Sequence, residues 1–267
     1  MSLLLIDSHV HIHKMYNINT FFDSVYNNFS FYSKSIDNEK KWNGVLLLTE
    51  MKNVNQFGKL SNLNSVGENN KYKIEKTSEN ISLKITSPEG NTIYVIAGKQ
   101  IIAEEKIEVL ALCTNKDFEE HQSLSSTINR INEVGGIAVL PWGVGKWSGK
   151  RKEILEKFIE EYKDEKFWLG DNSGRPYFWP EPSLFKIGNQ SGHFVLPGTD
   201  ALAIPNQIKK TGTYGFYLYN EIDDNFPAKT LKKIITELKA PPKYFGSLEK
   251  VIPFFKNQIT MQLNKRK

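Results

Sequence analysis

The chain has 267 residues, with 35 Lys and Arg against 30 Asp and Glu, a formal net charge of +5. Hydrophobic residues make up 39% and charged residues 24%, enough to bury a substantial core, which excludes a disordered tail protein. Cys113 is the one cysteine, so an intrachain disulfide is excluded, and the composition fits a reducing compartment such as the cytoplasm.

Residues 3–6 are a short continuous apolar run and predict a buried strand. The run stops at Asp7, far short of the roughly 20 apolar residues a membrane span needs, and it lacks the basic start of a secretory leader. Residues 19–34 carry Phe21, Phe22, Val25, Phe29 and Tyr32 at near-helical spacing and predict a helix. Residues 45–48 predict a second buried strand, and the Asn-rich stretch 53–70 reads as loop. Between 71 and 114 the pattern changes to period two, through Tyr72, Ile74, Ile81, Leu83, Ile85, Ile93 and Val95. Alternation of that kind marks half-exposed antiparallel strands, and Ser87-Pro88-Glu89-Gly90-Asn91 is a turn between two of them.

From there the pattern becomes strand-helix. A helix at 123–134 stops at Gly135-Gly136, and a strand follows at 137–140. A charged helix at 149–162 precedes a strand at 167–169. Strands at 194–196 and 214–219 flank a short helix near 206–210. Pro227 opens a helix at 228–238, and a last helix covers about 248–263. Strands alternating with helices argue for an α/β fold around a parallel sheet, open or closed, as one domain over 1–267 with an antiparallel β-hairpin insertion at about 53–106. Basic residues are spread along the chain, and Lys265-Arg266-Lys267 reads as a solvated end, so neither a nucleic-acid nor a membrane partner is expected.

The sharpest local feature is Asp7-Ser8-His9-Val10-His11-Ile12-His13. In an extended chain residues i and i+2 share a face, so His9 and His11 can present two imidazoles to one divalent ion. They stand just after an apolar strand, and in parallel α/β folds the carboxyl ends of strands surround the site. Gly170 to Pro176 holds Asp171, Asn172 and Arg175 after another strand. Asn172 is a candidate substrate contact, and the Arg175 fork suits a phosphate or carboxylate. The Gly-rich, basic segment Trp142 to Arg151 offers Lys146 as a second anion contact and Trp142 as an aromatic wall. Turn chemistry, solvated charge and core filling are the bland readings of these same residues. Cys113 reads as a buried inert thiol. Gly-x-Ser-x-Gly and Gly-x-Gly-x-x-Gly are both missing, so serine-hydrolase and dinucleotide readings lack a motif.

The segment Leu5-Ile6-Asp7-Ser8-His9-Val10-His11 resembles the opening motif of the polymerase and histidinol phosphatase (PHP) family, and more broadly that of amidohydrolase-like barrels. The resemblance implies a distorted barrel of seven strands and a metal cluster that hydrolyses phosphoesters. It continues in order: Leu48-Thr49-Glu50-Met51 looks like the family's Thr-Asp-His, Gly98-Lys99-Gln100 like the segment with its bridging Glu, Leu140-Pro141-Trp142 like its His-Pro strand, and Gly198-Thr199-Asp200-Ala201-Leu202 like Gly-Ser-Asp-Ala-His. Four ligand positions thereby become Met51, Gln100, Trp142 and Leu202, all poor ligands for hard or borderline cations.

What the resemblance leaves is a mononuclear site. His9, His11 and Asp200 would hold one divalent ion (zinc, manganese or iron). Asp200 and Glu50 would be the catalytic carboxylates, and Arg175, Lys146, Asn172 and Trp142 would meet a small anionic substrate. The implied function is a metal-dependent phosphoester hydrolase. The alternatives are a binding protein without metal or catalysis, and an amidohydrolase-type enzyme acting on a C–N or C–O bond.

Overall fold

The structure is a computed structural model that describes residues 1–163 and 165–265; Arg266 and Lys267 of the expected basic end lie outside the described residues. The chain opens with β1 (Ser2–Val10), α1 (Ile18–Ile36), β2 (Trp42–Leu48), α2 (Gln56–Leu60), β3 (Ser65–Val66), β4 (Tyr72–Lys76), β5 (Ser82–Thr86), β6 (Thr92–Ile96), β7 (Gly98–Ile102) and β8 (Glu108–Leu112). It continues with α3 (Leu124–Glu133), β9 (Ile137–Pro141), α4 (Lys150–Glu161), β10 (Trp168–Asn172), α5 (Ser183–Gln190), β11 (Val195–Gly198), β12 (Tyr214–Asn220), α6 (Pro227–Thr236), β13 (Lys243–Gly246) and α7 (Val251–Lys265).

These strands form two open mixed sheets, not the expected closed barrel of seven strands. One has eight strands in the order β13-β12-β1-β2-β6-β5-β4-β3, the other five in the order β11-β10-β9-β8-β7. β1, β2 and β6 run parallel, as do β9, β10 and β11; the remaining pairs are antiparallel. Two seams join the sheets without a ladder. At one, Glu50 alone bridges Lys99, with Glu50 N donating to the Gly98 carbonyl and Gln100 N to the Glu50 carbonyl. At the other, β11 faces β1 but carries Pro197, which has no N–H to give a ladder. The Ser8 hydroxyl donates instead to the carbonyls of Leu196 and Pro197, at 3.0 and 2.9 Å. Apolar periodicity marks each strand but does not say whether the two edges of a sheet meet.

The continuous apolar run in β1 follows from burial on both faces. Leu3 and Leu5 pack into a cluster with Phe21, Phe22, Val25 and Phe29 of α1. Leu4 and Ile6 point the other way, into a cluster with Leu110, Val139, Leu196 and the α6 residues Ala228, Leu231 and Ile235. A third cluster backs the second sheet with Ile128 and Ile131 of α3, Leu155 and Ile159 of α4 and Leu184 of α5. Each fully buried Leu, Ile or Phe contributes about 1.5–3 kcal/mol by leaving water. This three-part core fixes the carboxyl ends of β1, β2, β9, β10 and β11 on one rim.

The antiparallel strands expected between 71 and 114 are present but form no separate insertion: β4, β5 and β6 extend the main sheet, with β6 parallel to β2, and β7 and β8 belong to the second sheet. The stretch 53–70, read as loop, contains α2 and β3. Two elements went unforeseen, α5 behind Pro180 and Pro182, and the edge strand β13.

Candidate metal centre

β1 outlasts its apolar run and carries Asp7 and His9 within the strand. Its register against β2 shifts between Asp7 and Val10, an irregularity of the kind that re-aims side chains at a strand end. The shift leaves His9 Nε2 and His11 Nε2 3.1 Å apart. Asp200 follows β11 in a left-handed conformation at φ 49°, and its N–H donates to the His9 carbonyl at 2.8 Å. That bond brings Asp200 Oδ1 to 3.4 Å from His9 Nε2 and 3.5 Å from His11 Nε2.

The triangle passes a simple fit test. Ligands at about 2.0–2.1 Å from a tetrahedral zinc ion lie about 3.3–3.4 Å from one another. The three separations here, 3.1, 3.4 and 3.5 Å, match one face of that tetrahedron. His9 and His11 are buried, and Asp200 is partly open. Among the described residues these three form the one group of His, Cys, Asp and Glu able to hold an ion together, and such a group can hold a divalent metal.

Electrostatics favour the ligating forms. Burial lowers the His9 imidazole to about 4, so at neutral pH it carries the free lone pair a metal needs. Burial alone would raise Asp200, but the hydrogen bond from His11 works the other way and holds its carboxyl below the usual range. Lys146 acts on both groups from further away, and it forms an ion pair with Glu108 at the start of β8.

Asn172, at the end of β10, positions the carboxylate. Its Nδ2 donates to Asp200 Oδ2 at 3.0 Å and to the Trp142 carbonyl at 2.8 Å. Trp142 is itself buried, edge-on to Trp179 at 6.3 Å between ring centres, so it fills the rim beside the site. Gly198 lets the seam close: a Cβ there would stand 2.3 Å from the His9 N.

Other sequence candidates are engaged elsewhere. The Arg175 fork closes on Asp171, Nε to Oδ1 at 2.8 Å and a terminal nitrogen to Oδ2 at 2.7 Å, with both residues buried and Tyr214 donating to the same carboxylate. It is a structural ion pair and does not face an anion. Glu50 Oε1 accepts the Phe57 N–H at 2.7 Å and its other oxygen lies 3.7 Å from Lys99, so Glu50 pins the start of α2 and stands apart from the triad. Lys146 is near the triad but neutralised by Glu108. Asp7, two residues before His9, is fully buried and receives the N–H groups of Thr199 and Gly212 and the Thr199 hydroxyl; it closes the seam. His13 meets the Ala201 carbonyl at 2.8 Å and stacks on His11. Gln100 Oε1 is buried without a partner, Met51 is exposed, and the Leu202 carbonyl accepts the Tyr16 hydroxyl. None of the three ligates.

A cavity of about 240 Å³ opens beside His11, lined by Val10, Ile12, Leu48, Val54 and Ala203 and also by Glu50. Sequence reasoning missed it, because its lining comes from three separate segments. It also missed the role of Asp171, although an Arg four residues after a buried Asp is a usable signal of such a pair.

No family model and no curated protein matches the chain. Among solved structures it is similar to PsfC from Pseudomonas syringae PB-5123, with a TM-score of 0.55 and 12% identity over 100% of this chain and 99% of that one. At that identity the likeness shows a shared fold and carries no activity across. No helix of the described residues is long and apolar enough to cross a membrane.

Proposed function

We propose that the chain is a metal-dependent hydrolase with a mononuclear site held by His9, His11 and Asp200, acting on a phosphoester. The observation that carries this reading is the triangle of ligand atoms, 3.1 to 3.5 Å apart, on the rim where the parallel strands end. A divalent ion there would polarise a phosphoryl oxygen as a Lewis acid and lower the pKa of water. The protein's own part is to hold the ligands. Asn172 fixes the rotation of the Asp200 carboxylate, and burial keeps His9 neutral. The apolar cavity beside His11 has room for the organic group of an ester. The resemblance of the opening motif to phosphoesterases names the bond to try first.

A second reading, hydrolysis of a C–N or C–O bond in a less charged substrate, draws on a specific observation. Arg175 and Lys146, the cations that would greet a phosphate, are already paired with Asp171 and Glu108. The test is a panel of aryl phosphoesters, lactones and amides, run with the tag-free protein loaded with zinc, manganese or iron. Phosphoester turnover that a chelator and His11→Ala both abolish is the expected result. Turnover of lactones or amides alone would select the second reading. Bound metal with no turnover of any class would refute catalysis.

A further inference from the structure

The Glu50–Lys99 bridge that joins the two sheets also forms part of the wall of a second cavity. A cleft of about 750 Å³ opens there, between α2, the turn before β5 and the segment that follows β8. That volume falls within the range of small-molecule sites. Five carboxamides line it: Asn53, Asn55, Asn80 and Asn115, all exposed, and Gln100 of β7. They come from four separate segments of the chain, so amides reach the cleft from several sides. Gln100 Oε1 is buried and has no partner among the described residues, an acceptor whose donor the protein does not supply. The charges beside the amides are matched. Lys99 lies 3.7 Å from Glu50 and 3.4 Å from Asp117, and Lys52 lies 3.5 Å from Glu120. An anionic ligand would therefore meet three carboxylates and no cation to spare.

We propose that this cleft binds a neutral polyhydroxylated ring, the chemistry of a sugar. A hydroxyl both gives and receives a hydrogen bond, as a carboxamide does, so the two groups pair in either direction. The hydroxyls of a saccharide radiate on several sides and suit amides set on several walls. A nucleobase carries its polar groups along in-plane edges and would leave the amides of the other walls unused. The C–H face of a sugar ring has Phe57 and Phe118 to rest on. A hydroxyl donating to Gln100 Oε1 would satisfy the buried acceptor left open in this wall. The cleft shares Glu50 and Val54 with the cavity beside His11, but a neutral ring held by amides needs no metal, so the proposal does not depend on the hydrolase reading.

The test is saturation-transfer NMR and isothermal titration calorimetry of the full chain, with a chelator present so that the metal centre takes no part. The probes are glucose, galactose, mannose, N-acetylglucosamine, maltose and cellobiose, beside adenosine, uridine and a neutral tripeptide. At least one saccharide is expected to bind in the millimolar range or more tightly. Asn115→Ala and Gln100→Leu are each expected to weaken that binding by about 10-fold, the worth of one hydrogen bond. Asn38→Ala, which removes an exposed amide in the turn after α1, should leave it unchanged. Gln100→Leu deletes a buried acceptor that has no partner, so the ligand-free variant should be at least as stable in urea as wild type, which separates lost binding from lost folding. No saccharide of the set bound at millimolar concentration, or binding that both variants leave intact, would overturn the proposal. Nucleoside or peptide binding alone, lost in the same variants, would overturn it in favour of that ligand.

Discussion

Asn172 Nδ2 stands 3.0 Å from Asp200 Oδ2, and the same amide is anchored to the Trp142 carbonyl at 2.8 Å. A carboxylate rotated by a fixed donor keeps its other oxygen aimed at His9 and His11. Partners of this kind are worth about 10–100-fold in metal affinity. Asn172→Ala is therefore expected to weaken zinc binding by about that factor while leaving the fold intact. Competition with a chromophoric chelator measures it, and affinity equal to wild type would remove Asn172 from the site.

Arg175 and Asp171 make an opposite case, in which stability changes and metal binding does not. Both are buried, and removing one partner of a buried ion pair costs about 3–5 kcal/mol because the other charge is left alone. Arg175→Met is expected to lower the urea midpoint strongly, and Asp171→Leu/Arg175→Met to recover much of it. Metal stoichiometry per folded chain should be wild-type in both. A single variant as stable as wild type would mean that the pair is not a buried one.

Gly198 faces His9 across the seam with no space for a side chain, the Cβ of an alanine falling 2.3 Å from the His9 N and 2.7 Å from its Cβ. Both neighbours are close to backbone, which does not yield cheaply. Gly198→Ala is expected to displace His9 and lose the metal before it loses helix content. Metal titration followed beside far-ultraviolet circular dichroism separates the two.

Cys113 supplies the pH dependence. Burial pushes its thiol up to about 12, from an ordinary value of 9.0. The folded state thus favours the neutral thiol. The stability this confers is complete below the unfolded value and is lost as pH rises toward the folded one. Wild-type protein should lose more stability than Cys113→Ala between about pH 9 and pH 11. At pH 8 the native thiol should resist alkylation that proceeds fully in urea.

Much of the centre was legible from one short segment. Alternation placed His9 and His11 on one face, and the strand end placed them on the rim. Asp200 came from the resemblance alone, since no local pattern brings a residue 191 positions away back to His9. That approach depends on Pro197, Gly198 and the left-handed turn at Asp200. Strands were legible as apolar runs, but their direction was not: the run at 214–219 became β12, antiparallel to β1. Closure was not legible either: the sheets part at two seams, one carrying Pro197 and the other reduced to the Glu50–Lys99 bridge, and both bring together segments far apart in the chain. Arg175 and Lys146 were read as free cations because sequence shows a charge and hides its partner.

The most direct measurement is elemental analysis of the tag-free protein beside His9→Ala/His11→Ala, after incubation with zinc, manganese and iron in turn. Close to one ion per chain in the wild type, absent from a variant that remains folded, is the expected result. No bound ion under any of the three metals, or the same stoichiometry in the variant, would contradict a metal centre at His9, His11 and Asp200.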